Sequence, residues 1–235
     1  MSWLPERAEG ASEFERVFGL RENLFAAWRE FASLLWEKRL APPVILQLAQ
    51  LRVRQLHGLA LGAHRMSEAV EAGWDESRVA ELASWWQSAR FTPDERACLA
   101  LAEQFVLDAK GITGGEVAPA RAALGDAGVV ALALALALFD GFTRFQKMLG
   151  IAEAHAPSPP SKRRDLRVVA KPGMRIALPK PLGADPIQAS ALAHQPEALA
   201  AFMQLYGTLW SRGLLDHSTK EMARIRSART VDCGF

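Results

Sequence analysis

Laid over itself at an offset of 174 residues, with no gaps, the chain repeats. Trp210 then falls on Trp36, Phe202 on Trp28, Leu205 on Phe31, Leu209 on Leu35 and Leu214 on Leu40. The match continues with Met222 on Leu48, Ala223 on Ala49, Ile225 on Leu51 and Arg226 on Arg52. Like-for-like matches in a single register mark an internal repeat, so whatever fold the first copy adopts, the second copy begins to build again. In the same register Glu221 lies opposite Gln47 and Cys233 opposite Leu59. The first copy lacks the ionisable groups that the second presents.

The periodicity inside the repeat is helical. Leu24 to Lys38 carries Phe25, Trp28, Phe31 and Leu35 on one face, and Pro42-Pro43 opens the next helix, as proline does at a first helical position. Gly73-Trp74-Asp75 ends one helix and caps another running to Trp86. Thr92-Pro93-Asp94-Glu95 reads as a capping box opening a helix to about Ala109, and a last helix spans Asp126 to Leu149. Strands are hardly signalled, and the fold class is all-α. The apolar run from Gly128 to Phe139 is shorter than the ~20 residues a bilayer needs and reads as a buried core helix.

Three stretches follow in the domain reading. Residues 14–151 form a helical domain, 152–184 a proline-rich basic linker, and 185–235 the beginning of the second copy. Ala156-Pro157-Ser158-Pro159-Pro160 and Lys162-Arg163-Arg164 set the character of the linker, which is semi-rigid where prolines cluster. Arg167 to Ala170 and Met174 to Leu178 are expected either to pair as short strands or to lie extended on the first domain. Beyond it, helices are expected from Pro186 to His194, Glu197 to Ser211, and after an Asp216 cap. Three helices close no core of their own. Leu199, Phe202, Leu205, Tyr206, Leu209 and Trp210 therefore need cover from the first copy or from another subunit.

These residues resemble the alkylhydroperoxidase D and carboxymuconolactone decarboxylase family of small all-helical domains. The redox branch of that family has the order E-x11-C-x2-C-x3-H, and Glu221 and Cys233 stand twelve positions apart, as its Glu and first Cys do. Arg52 to Gly58 resembles the family's approach to its cysteine turn, Phe91 to Arg96 the start of its next long helix, and Phe142 to Ile151 its last helix. In the first copy the frame is empty of chemistry, with Leu59, Gly62 and Met66 in the Cys, Cys and His positions and His64 two residues out of register.

The resemblance implies a thiol or selenol peroxidase, or a disulfide reductase, in tandem form with a degenerate first copy. Its substrates are a hydroperoxide or disulfide and a thiol reductant, and it needs no cofactor or metal. Cys233 takes the resolving thiol's position and Glu221 that of the proton-relay carboxylate. The thiolate is the nucleophile in such chemistry, and a carboxylate relay serves to produce it. The attacking chalcogen belongs at position 236, one place past Phe235, and the relay His four places further on. The break at that position leads to the expectation of a selenocysteine codon, with a true stop or a gene fragment as the alternatives. Two other functions stay open: a non-redox lactone decarboxylase-like enzyme and an inert helical assembly module.

The remaining polar residues read as structural. Cys98 sits on an apolar helical stripe as a small buried hydrophobe. His57 and His64 are expected in packing or hydrogen-bonded roles, and Trp85-Trp86 with one ring in the core and one at an interface. A formal charge of +2 with no clustered basic face gives no reason to expect nucleic acid, and no membrane partner is expected. The N-terminal residues carry no apolar signal stretch, which makes the cytoplasm the expected compartment. A homo-oligomer is expected, because the family commonly trimerises.

Overall fold

The computed structural model describes residues 12–151, 175–177 and 191–230, which are helical with no β-sheet among them. Eight α-helices follow in order: α1 Glu13–Phe18, α2 Glu22–Glu37, α3 Pro43–Leu56, α4 Ser67–Glu71, α5 Pro93–Leu107, α6 Gly114–Leu149, α7 Pro196–Ser211 and α8 His217–Thr230. Shifted back by 174 residues, α7 covers 22–37 and α8 covers 43–56, which are the bounds of α2 and α3. The repeat is therefore a repeat of helices, beginning and ending at the same positions.

Local chemistry explains the boundaries. Pro43 and Pro196 start α3 and α7 at a position whose N–H would be unpaired anyway. Thr92 and Glu95 form the expected capping box on α5. A second box, Thr113 with Glu116, opens α6 earlier than the sequence reading placed it. Within α6 the backbone breaks at Gly125, whose φ of 71° a side chain rarely tolerates, so the helix expected from Asp126 to Leu149 lies beyond that kink and the stretch from Gly114 precedes it as an additional helical segment. The segment after Asp75 differs in kind: residues Glu76–Ser84 wind as a 3-10 helix rather than an α-helix. Its tighter turn directs Leu82 and Trp85 into one core cluster with Leu48, Leu51, Phe91 and Leu99.

The main core gathers α2, α3, α5, α6 and α7 around the stretch Val129 to Phe139 of α6. That helix is long and apolar enough to cross a membrane, further than the run from Gly128 to Phe139 alone indicates. In this fold 56% of its most apolar window is buried inside the protein. A fully buried ion pair joins α3 to α5. Arg52 donates from Nε to Glu103 Oε1 at 2.7 Å, its Nη2 lies 2.6 Å from the same oxygen, and Trp85 Nε1 donates there at 2.7 Å.

The second copy packs on the first through α2 and α7, which run antiparallel. Arg21, at the start of α2, donates to the Arg212 carbonyl at 3.2 Å, while Lys38, at the other end, lies 3.8 Å from Glu197. Midway, Gln204 donates to Glu30 at 2.8 Å, and these two residues are equivalent positions of the repeat. A local pseudo-twofold axis therefore passes between them, as in an isologous interface. The contact covers Ala198, Leu199, Ala201 and Leu205, and sets Phe202 against Phe31 at 6.1 Å. The apolar face of α7 thus meets the first copy. Tyr206 and Leu209 stay exposed.

Of the expected linker, the described part is Arg175 to Ala177, a bend in which Ile176 rests against the main core and the Ala177 carbonyl meets His194 Nε2 at 2.7 Å. The expected strand Arg167 to Ala170 and most of the Pro186 helix lie outside the described residues, although Ala191–His194 form one 3-10 turn.

Candidate functional site

Two positions of the first copy that the resemblance singles out meet, Gln47 in α3 and Met66 just before α4. Gln47 is buried, and its Oε1 accepts the Met66 backbone N–H at 2.8 Å while its Nε2 donates to Gln50 at 3.0 Å. These are the positions where the frame sets its relay Glu and His, brought together across nineteen residues. Between them the chain turns through Gly58 and Gly62, with φ of 72° and 63°, and buries Leu59. Nothing lies within 4 Å of where a side chain on Gly62 would begin. None of the four positions carries an ionisable side chain.

Hydrogen bonds from outside the frame hold this turn. Arg54 donates to the Ala60 carbonyl through Nε at 2.9 Å and Nη2 at 2.7 Å, and to Gln146 through Nη1 at 2.8 Å. Lys147 donates to the His57 carbonyl at 2.9 Å. The His57 ring meets Asp140 at 2.5 Å, and Arg144 donates to the other Asp140 oxygen at 2.9 Å. Burial acts most strongly on Asp140 and would raise its pKa, but the bonds from His57 and Arg144 together outweigh it and hold the carboxyl below its usual range. His57 thus has the hydrogen-bonded role expected of it. His64 is exposed, and its ring makes no hydrogen bond among the described residues, so the expected structural role does not extend to it.

In the second copy Glu221 lies near the start of α8, which Asp216 caps by accepting the Thr219 N–H at 2.8 Å. Glu221 is part-exposed and takes two bonds from Arg224, at 2.9 and 2.7 Å. Cys233 lies outside the described residues, so its distance to Glu221 is not defined. The environments of the two copies differ sharply. Met222 and Ile225 are 63% and 47% exposed, whereas their equivalents Leu48 and Leu51 are each 1% exposed beneath neighbouring elements of the first copy. His217, the first residue of α8, packs its ring on Trp210 at 6.1 Å.

Cys98 is 1% exposed, and burial first, then Asp94 and Glu95, pushes its thiol up from 9.0 to about 12. It is no nucleophile. No group of three His, Cys, Asp or Glu side chains suited to a metal exists among the described residues. Sequence reasoning missed Arg54 and Asp140 at the turn; the available signal was the i,i+4 spacing of Asp140 and Arg144. No protein-family model matches the chain, and no curated protein is detectably similar to it.

Proposed function

We propose that the chain is a tandem protein of alkylhydroperoxidase D type, with thiol or selenol redox chemistry in the second copy and a structural first copy. The observation that carries this reading is the pairing of Gln47 with Met66 in the register that sets Glu221 opposite Gln47. Two positions nineteen residues apart thus meet, through the side chain of Gln47 and the main chain of Met66. In the second copy Glu221 serves as proton relay and Cys233 as resolving thiol.

In a cycle of this kind a chalcogenolate at the frame's second Cys position attacks a hydroperoxide. The O–O bond breaks, an alcohol leaves with a relayed proton, and the chalcogen is oxidised to its hydroxide form. The Cys233 thiolate then displaces hydroxide, which leaves as water, and closes a bond between the two chalcogens. A thiol reductant reopens it and is oxidised to its disulfide. Such a cycle belongs in a reducing compartment, and the cytoplasm fits it. A homo-oligomer is part of the same reading, to be measured as mass by light scattering.

The test is hydroperoxide consumption coupled to a thiol donor, run on the chain as it stands and on one lengthened with a cysteine at position 236 and a histidine at position 240. The lengthened chain should turn over about 100-fold faster, lose that gain on Cys233→Ser, lose about tenfold or more on Glu221→Gln, and be unaffected by Cys98→Ser. Equal rates for the two chains, or a rate that follows Cys98, overturn the reading.

A further inference from the structure

The first copy has lost its frame chemistry but keeps a cavity. It measures about 370 Å³ and lies between α1, α2 and α6, with Met66 and the last turns of α3 at one side. Phe14, Phe25, Trp28, Trp36, Phe139 and Phe142 supply its aromatic walls. Trp28 sits 5.0 Å from Phe14, 5.2 Å from Phe142 and 5.9 Å from Phe25, so the rings form one connected layer. Space of this size with flat apolar walls suits a small organic molecule, for which sites begin at about 300 Å³.

Arg54 makes the cavity selective. Its three hydrogen bonds go to a backbone carbonyl and an amide oxygen, both neutral, and no carboxylate pairs with it among the described residues. Arg52, two residues earlier, is neutralised by Glu103, so the fold has the means to compensate a buried guanidinium and does not use it at Arg54. Of the five guanidinium N–H groups three are engaged, leaving one on Nη1 and one on Nη2. Burial lowers the Arg54 pKa, the cost expected of a charge without a counterion. A further donor, Trp28 Nε1, is buried in the aromatic layer with no acceptor. At the rim Arg29 sits over the Phe25 ring at 5.4 Å, and Glu15 accepts from Ser12 at 3.0 Å and does not reach Arg54.

We propose that the first copy binds a small aromatic carboxylate, its ring held among Trp28, Phe139 and Phe142 and its carboxylate on Arg54. A carboxylate matches the free N–H groups of the guanidinium and supplies the missing counter-charge, while the flat body replaces water against the rings. The site is independent of Cys233 and Glu221, and stands or falls apart from the redox chemistry assigned to them.

The experiment titrates the full chain by calorimetry with 2-naphthoate and with its neutral amide, 2-naphthamide. Saturable one-to-one binding of 2-naphthoate is expected, with the amide weaker by about tenfold or more. Arg54→Gln should remove that preference, and Phe142→Ala should weaken both compounds. No saturable binding, equal binding of the two compounds, or a preference that survives Arg54→Gln overturns the proposal. Binding abolished by Trp210→Ala overturns it too, since that places the ligand in the apolar groove between α7 and α8. Should Arg54→Gln fail to fold, as read by circular dichroism, the comparison of the two compounds on the unaltered chain decides.

Discussion

Glu103 accepts from Arg52 and Trp85 with no water in reach, and a carboxylate so placed is stable only while both partners remain. Glu103→Gln keeps the shape and strands the guanidinium, so it should cost about 3–5 kcal/mol in a urea or guanidinium melt. The double replacement of Arg52 and Glu103 by Met and Leu should cost far less, because nothing charged is left behind. Cys98 gives a pH signature. Its folded-state pKa is raised to about 12, so between about pH 9 and 12 the unfolded chain loses the thiol proton and the folded chain keeps it. The folded state binds more protons in that window, and stability contributed by this group is complete below pH 9 and falls as pH rises through it. Cys98→Ala should flatten that part of a stability-versus-pH curve, and native protein at pH 8 should leave Cys98 unlabelled by a thiol reagent. The burial of Cys98 was legible in its apolar spacing. The partnership of Arg52 with Glu103 was not, because residues 51 positions apart announce no pairing until two helices are packed together.

At the scale of elements, sequence succeeded where one local rule governed and failed where two competed. The starts of α3 and α7 follow from Pro43 and Pro196 and that of α8 from the Asp216 cap, and the repeat carries the bounds from one copy to the other. The helix from Asp126 was read correctly, whereas the stretch from Gly114 to the kink at Gly125 was not, although the capping box of Thr113 and Glu116 opens it. The 3-10 segment from Glu76 carries the spacing of an α-helix, and its winding is set by where Leu82 and Trp85 must reach. The antiparallel contact of α2 with α7 could be anticipated only as a need for cover, by the first copy or by another subunit. Its centre is Gln204 donating to Glu30, both on the exposed rim. Gln204→Glu replaces that bond with two facing carboxylates and should loosen α7 by about 1 kcal/mol at low salt, less as salt rises. Limited proteolysis between α6 and α7 should quicken accordingly, with Gln204→Met as the uncharged control.

For the whole molecule, the pseudo-twofold at Glu30 and Gln204 means that the first copy is docked within one chain as two copies of a protein dock in a dimer. Two identical α2 helices in that geometry would set Glu30 against its own copy, and the second copy carries Gln204 in its place, which turns a repulsion into a hydrogen bond. Removing the second copy should therefore expose a surface able to pair with itself, at the cost of that repulsion. A chain ending near His155 retains the buried stretch of α6 and the Arg52–Glu103 pair, and should melt cooperatively as a helical domain by circular dichroism. It loses its cover over Ala27 and Phe31, which α7 keeps to 4% and 2% exposure. Sedimentation of this shorter chain should show a concentration-dependent dimer that Glu30→Gln tightens and Phe31→Glu abolishes. The carboxylate repulsion identifies the geometry: dimerisation of the unaltered short chain should strengthen as salt rises, and Glu30→Gln should remove most of that dependence. A dimer indifferent to both Glu30→Gln and salt would be using another surface, and the pseudo-twofold would then describe the packing of α2 on α7 without predicting what α2 does when α7 is gone.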